Sequence, residues 1–184
     1  MGDQPKWRLP WGRSTLLEHI VVEAQAFACE TLVVGGEGME APAGASWAPD
    51  IYRGCGPLGG LHAGLSAARF EWCVALGCDM PFVRPQAMCE LLALAAGHDA
   101  AVPIAADGCH PLFAAYSRSC APAIERKLHG GARRMLSFLD EVRVRWVTEP
   151  ELRQFDPDLL CLFNINTWSD YERARELAQL AVAR

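Results

Sequence analysis

Two hydrophobic patterns alternate along the whole chain, and their order restricts the architecture to an α/β fold. From Ser14 to Cys29, Leu16, Leu17, Ile20, Val21, Ala24 and Phe27 recur at three- and four-residue steps behind Ser14 or Thr15, which predicts an amphipathic helix with a hydroxyl N-cap. Thr31 to Val34 is short and β-branched and stops at Gly35-Gly36, as a buried strand does. A loop rich in Gly, Ala and Pro follows, to about Asp50. Helix is then expected from Leu61 to Phe70, strand from Trp72 to Leu76, helix from Pro85 to Ala96, and strands from Ala100 to Ile104 and from Leu112 to Tyr116. Helices from Pro122 to His129 and from Arg133 to Leu139, strands from Val142 to Val147 and from Leu160 to Asn164, and a helix from Ser169 to Val182 complete the pattern.

Strands alternating with helices imply a mostly parallel sheet covered on both faces, with ligands bound beyond the carboxyl ends of the strands. No linker, internal repeat or low-complexity tract divides the sequence, so residues 1–184 read as a single domain. With 51% hydrophobic residues the chain can bury one core, and 17 basic against 22 acidic residues leave no excess positive charge for nucleic acid or a membrane surface. No apolar run approaches the roughly 20 residues of a membrane span. The opening MGDQPKWRLPWGR lacks the apolar core of a secretory signal, and a cytoplasmic location is expected. Eight cysteines contain no C-x-x-C spacing and sit mostly in apolar segments, which predicts free thiols, most of them packed as small hydrophobes.

The residues to inspect are those that follow strands. Asp79, in LGCDMPF, comes just after the Trp72 to Leu76 strand. A lone carboxylate there is more often a helix or turn cap, but it can hold magnesium, which takes one or two protein carboxylates and leaves its other positions to water and phosphates. Gly54-Cys55-Gly56-Pro57-Leu58-Gly59-Gly60 precedes the helix expected from Leu61; it is either a tight turn or a cradle for a phosphate at a helix N-terminus. Gly36-Glu37-Gly38 imitates a dinucleotide fingerprint, but Pro42 and Ala43-Gly44 follow where a helix is needed, so it is set aside. Lys6 is a surface cation or a phosphate contact, and His110, before Pro111-Leu112-Phe113, is a base only if its strand borders the site. Arg126, Lys127, His129, Arg133 and Arg134 form a basic cluster that is either a solvated helix face or a landing site for an anionic substrate.

Taken in order, Lys6-x-x-Leu9-Pro10, Gly56-Pro57-Leu58-Gly59-Gly60, Cys78-Asp79-Met80-Pro81-Phe82, His110-Pro111-Leu112-Phe113 and Phe163-Asn164-Ile165-Asn166-Thr167 with Asp170 resemble the motifs of molybdenum cofactor guanylyltransferases, over essentially the whole chain. The resemblance implies a Rossmann-like, three-layer nucleotide-diphospho-sugar transferase fold and an enzyme that uses GTP and Mg2+, joins GMP to molybdopterin and releases pyrophosphate. It implies that Lys6 contacts the nucleotide phosphates, Asp79 holds the metal, and Asp50 with Gly56, Pro57 and Leu58 helps hold the nucleotide. His110, Asn164, Asn166 and Arg133 are the candidates for the second substrate, and a molybdoenzyme acceptor or chaperone is the expected protein partner.

The chain departs from this pattern twice. The family opens with a strand and Leu-Ala-Gly-Gly-x-x-x-Arg-Met-Gly, whereas this sequence starts at Met1-Gly2, so the first strand and main phosphate loop are expected upstream of it. One extra residue also separates Gly2 from Lys6, and Gly35-Gly36-Glu37 stands where relatives offer an asparagine to the base. Two alternatives stay open: a cytidylyltransferase acting on the same pterin, and a molybdopterin-binding module impaired in catalysis because the loop is absent.

Overall fold

The computed structural model describes residues 5–35 and 40–182, so Met1-Gly2 and the Gly36-Glu37-Gly38 imitation lie outside the described residues. The chain begins with a one-turn 3-10 helix, Lys6–Arg8, and a tight hairpin of β1 (Pro10–Trp11) and β2 (Ser14–Thr15). Helix α1 (Leu16–Gln25) starts where the sequence predicted, and the capping residue is Thr15: its hydroxyl accepts from the Glu18 amide while the Glu18 carboxylate accepts from the Thr15 amide. These contacts hold the Glu18 carboxyl below its ordinary range, the Thr15 backbone N–H foremost.

A mixed sheet lies at the centre. Strand β5 (Trp72–Leu76) pairs antiparallel with β8 (Phe113–Ser117), which pairs antiparallel with β6 (Ala100–Ala105). On the opposite edge β6 pairs in parallel with β9 (Val144–Thr148), and its far end pairs antiparallel with β7 (Gly108–Cys109). The three-layer α/β expectation holds, but the sheet is mixed where a mostly parallel one was predicted. Only a tight turn at Ala106-Asp107 joins β6 to β7, and β8 continues in the direction of β7, so without a helical crossover both run antiparallel to β6. Pro103 has no N–H to give to a ladder, and the pairing with β8 and β7 breaks between Ala101 and Ile104.

Alternation along these strands builds two cores. Ala101, Phe113, Ala115 and Val147 face α1, α3 (Pro85–Leu94) and α6 (Trp168–Val182), meeting Leu16, Ile20, Met88, Leu91 and Ala174. Ala100, Val102, Ala114 and Tyr116 point the other way, toward α2 (Gly56–Ala67) and α4 (Ala121–His129), meeting Leu58, Leu61, Leu65, Ile124 and Leu128. Alanines at the sheet surface let both helical layers approach closely.

A second, two-stranded sheet stands apart: β3 (Leu32–Gly35) pairs in parallel with β4 (Ser46–Pro49). Among the described residues no backbone ladder joins it to β5, the terminal strand of the larger sheet, all five of whose residues are half-buried. Side chains make the connection. Leu17 and Val21 of α1 pack on Val33, while Leu16 and Ile20 of the same helix reach the main core. On the other face Gly64 of α2 comes close enough to Val34 that an added Cβ would sit 3.4 Å from its Cγ2. A strand-edged seam therefore runs between β3 and β5, bridged by a helix on each side.

Four local expectations need correction. Strand β4 falls inside the segment read as loop, because Ser46-Trp47-Ala48-Pro49 has only Ala48 turned to the core and is held by pairing with β3. Helix α2 begins at Gly56 rather than near Leu61, since Pro57 at the first turn is pre-set for helix. The segment expected as strand Leu160 to Asn164 is a 3-10 turn, Leu160–Leu162: Leu159 takes a left-handed φ of 52° and the Asp156 carboxylate accepts from the Cys161 amide at 2.6 Å. The helix expected from Arg133 is a 3-10 segment, Met135–Glu141. All eight thiols are free, but only Cys55, Cys120 and Cys161 are buried, whereas Cys29, Cys78 and Cys89 are exposed. No helix among the described residues is long and apolar enough to cross a membrane.

Asp99, just before β6, ties the start of β9 to the sheet. Its carboxylate accepts from the Arg143 amide at 2.9 Å, from Nε at 3.1 Å and from Nη2 at 2.9 Å. The Arg143 side chain, then its backbone N–H, lowers the Asp99 carboxyl to about 2 from 3.8. A carboxyl depressed on folding stabilises the protein above its unfolded pKa, and that contribution is lost as pH falls through the folded value. Asp99→Asn is therefore expected to lower the melting temperature at pH 7, with the gap from the parent closing between about pH 4 and pH 2 in thermal melts.

Candidate active site

The turn after β5 places Asp79. The Gly77 amide donates to the Leu112 carbonyl at 2.8 Å, fixing the end of β5 against the start of β8. Glycine at 77 leaves room for the aspartate: a Cβ there would lie 2.8 Å from Asp79 Oδ1 and 3.2 Å from Met80 Sδ, and would push the carboxylate from its place. Beyond the aspartate, the Pro81 carbonyl accepts from His19 Nε2 at 2.8 Å, so α1 pins the far side of the turn. Phe82 stacks edge-on against Trp11 and Phe163 beneath it.

Lys6 reaches across to this turn. Its Nζ donates to Asp79 Oδ2 at 2.9 Å and to Asn166 Oδ1 at 2.7 Å. Residues 73 and 160 positions away in sequence thus converge on one ammonium group. The Ile165 amide donates to the Asp79 carbonyl at 2.8 Å, locking the Asn164-Ile165-Asn166 segment to the same turn. Asp170, in the first turn of α6, holds that segment from the other side by accepting from the Asn166 amide at 3.0 Å and the Thr167 amide at 2.7 Å. These bonds, the Thr167 N–H first, keep the Asp170 carboxyl below its usual range.

Beside the cluster lies a cavity of about 180 Å³, lined among others by Pro57, Met80, His110, Phe113, Met135 and Asn164. The His110 side chain is nearly buried, and Nε2 is 2.9 Å from Asp107 Oδ1. A carboxylate can only accept, so Nε2 carries the proton.

The structure thus gathers Lys6, Asp79 and Asn166 in one hydrogen-bonded cluster and Pro57, His110 and Asn164 around the adjoining cavity, the two joined through residues 79–80 and 164–166. Gly56 and Leu58 are in the first turn of α2, with the Leu58 side chain fully in the core, so only its backbone can face a ligand. Asp50 follows β4 on the other side of the seam, and its Oδ1 is buried without a hydrogen-bond partner. Arg133 is exposed, donating to the Ala132 carbonyl two residues ahead of the cavity-lining Met135. Within the basic cluster Arg126 and Lys127 are committed to Glu141 and Asp140, whereas Arg133 and Arg134 are exposed and outside those ion pairs. Sequence reasoning missed Met135 and Asp107, which carry no recognisable spacing, and left Met80 and Pro111 unassigned although both stand inside the motifs.

An oxygen-ligated divalent ion fits this donor set. Asp79 and Asn166 already hold a cation between two oxygens, and the described residues contain no group of three or more His, Cys, Asp or Glu able to enclose a metal. Such a site suits an ion that shares its coordination with water and substrate phosphates.

A sheet under helices on both faces, with a carboxylate after β5 meeting a lysine and an amide oxygen beside a cavity, is an arrangement that suits a nucleotidyltransferase. The model of the MobA-like NTP transferase domain matches residues 1–144, and the chain belongs to that family. A probable molybdenum cofactor guanylyltransferase from Pelotomaculum thermopropionicum is 35% identical over 177 residues, covering 96% of this chain and 86% of that protein. A molybdenum cofactor guanylyltransferase from Desulfosudis oleivorans is 38% identical over 128 residues, 69% of this chain and 63% of the relative's length. The crystal structure of molybdopterin-guanine dinucleotide biosynthesis protein A from Archaeoglobus fulgidus superposes with a TM-score of 0.85 at 32% identity, covering 96% of this chain and 92% of the other.

Proposed function

We propose that this protein transfers GMP from GTP to molybdopterin with release of pyrophosphate, in the cytoplasm, and passes the product to a molybdoenzyme or its chaperone. The observation that carries the reading is the Lys6 ammonium held between Asp79 and Asn166 at the rim of the cavity; the likeness to relatives named guanylyltransferases supports the choice of substrates. In the reaction a phosphate oxygen of molybdopterin forms a bond to the α-phosphorus of GTP, and the bond from that phosphorus to the β-phosphate oxygen breaks. Both reacting groups are anionic, so the main tasks are to bring them together and to offset charge on the leaving group.

Lys6 supplies a positive charge, held here on the Asp79 and Asn166 oxygens, that would turn to the phosphates where Mg2+ takes those oxygens. Asp79 and Asn166 would hold Mg2+, which when bound supplies further positive charge to the phosphates. Asp170 and Ile165 keep Asn166 at that distance through the backbone bonds described above. His110 and Asn164 line the space for the second substrate, Pro57 borders it from the nucleotide side, and Asp50 offers an unpaired carboxylate oxygen to N–H or O–H donors of the nucleotide. The test measures pyrophosphate release with molybdopterin and either GTP or CTP, with and without magnesium. Magnesium-dependent release that favours GTP is expected; a preference for CTP would reassign the nucleotide, and no release with either would leave a binding protein.

A further inference from the structure

The segment from Asp50 to Gly56 links Asp50 and its buried Oδ1 to Pro57 on the cavity wall, and the structure shows how its middle is fastened. The Tyr52 hydroxyl donates to Glu125 Oε1 at 2.9 Å and lies 2.9 Å from His129 Nε2. A hydroxyl has one proton and an ionised carboxylate can only accept, so the second contact runs from the His129 ring N–H to the Tyr52 oxygen. Both partners belong to α4, and the tyrosine ring meets His129 and the buried His62 edge-on, with centroids 5.5 and 5.0 Å away. Burial lowers the His62 pKa, so it packs against Tyr52 as a neutral ring.

The anchor is transmitted through backbone. The Cys55 amide donates to the Tyr52 carbonyl at 3.2 Å, closing a turn in which Gly54 takes a φ of 71°. Gly59, one turn into α2, lies directly beneath: a Cβ there would be 3.0 Å from both the Tyr52 carbonyl oxygen and Cys55 Cβ. Tyr52, the turn and the start of α2 are therefore one packed unit, with the unpaired Asp50 oxygen two residues before Tyr52 and Pro57 five residues after it.

We infer that Tyr52 is a positioning residue for the nucleotide: through Glu125 and His129 it uses α4 to hold Asp50 and the Gly56-Pro57 backbone at the distance a nucleoside triphosphate requires. This deepens the proposed function and rests on it. The substitution Tyr52→Phe keeps the ring packing and removes both hydrogen bonds. It is expected to speed amide hydrogen exchange at residues 53–56 about tenfold and to raise KM for GTP about tenfold, the size of a lost hydrogen bond to a charged group, with kcat within about twofold. Glu125→Gln keeps an acceptor for the hydroxyl and should behave within about twofold of the parent, whereas Glu125→Ala should follow Tyr52→Phe.

Unchanged exchange at 53–56 in Tyr52→Phe would overturn the tether, and faster exchange with an unmoved KM would overturn the positioning role. Because the exchange measurement needs no substrate, it separates these failures from that of the functional reading. Absence of GTP turnover by the parent chain would remove that reading, and the positioning role with it, whatever the exchange shows.

Discussion

Replacing Asp79 with alanine is expected to lower GTP-dependent transfer by about a thousandfold, equivalent to about 4 kcal/mol of lost transition-state stabilisation. The carboxylate faces a lysine and an amide oxygen rather than the core, so the substitution removes charge and a metal-binding oxygen without opening a cavity. The melting temperature should move by only a few degrees, because one partly exposed ion pair contributes about 1 kcal/mol or less. Asp79→Asn sharpens the test, since it still offers Lys6 an oxygen but carries no charge. Transfer by the asparagine variant near the parent rate would show that the carboxylate only orients Lys6. Retention of more than about a tenth of parental activity by the alanine variant, measured by pyrophosphate release on folded protein, would remove Asp79 from the chemistry altogether.

The largest loss of stability is expected from Phe113→Ala, about 3 to 5 kcal/mol. Phe113 is fully buried in β8, the antiparallel strand that lies between β5 and β6, and it fills the core beneath α3 and α6. Its neighbours on the strand are alanines, which cannot expand into the space an absent ring would leave. For a chain of this length that loss lowers the melting temperature by roughly 6 to 20 °C. Chemical denaturation gives the free energy directly, and a change below about 1.5 kcal/mol would mean that the ring is not packed as described. Since Phe113 also lines the cavity with His110 and Asn164, activity should fall even at temperatures where the variant stays folded.

Much of this was legible in the sequence, for identifiable reasons. The start of α1 was legible behind Ser14 or Thr15 because a cap acts over only three residues, although the choice of Thr15 came with its contacts to Glu18. Strand β5 was predicted with its observed limits because its short apolar run follows the charged Arg69 and Glu71 and is ended by Gly77. Elements stabilised by distant partners were not legible. Strand β4 exists because β3 lies beside it, and the reversal at Leu159 exists because Asp156 caps it, so neither has a local pattern of its own. The same distinction applies to the site. Lys6, Asp79 and Asn166 were each picked from motifs, but their meeting on one ammonium depends on tertiary structure, and the Asp107 partner of His110 and the Glu125 partner of Tyr52 became visible only with the fold.

The gap between β3 and β5 gives the two ends of the site different attachments. Asp50 rides on the small sheet and Asp79 on the large one, and among the described residues no shared ladder joins those sheets: α1 and α2 pack against both, the Glu30 carboxylate before β3 accepts from Arg69 before β5, and Tyr52 is tied to α4. A ligand that touches both carboxylates would join the two sheets, so part of its binding energy would appear as added cohesion between them.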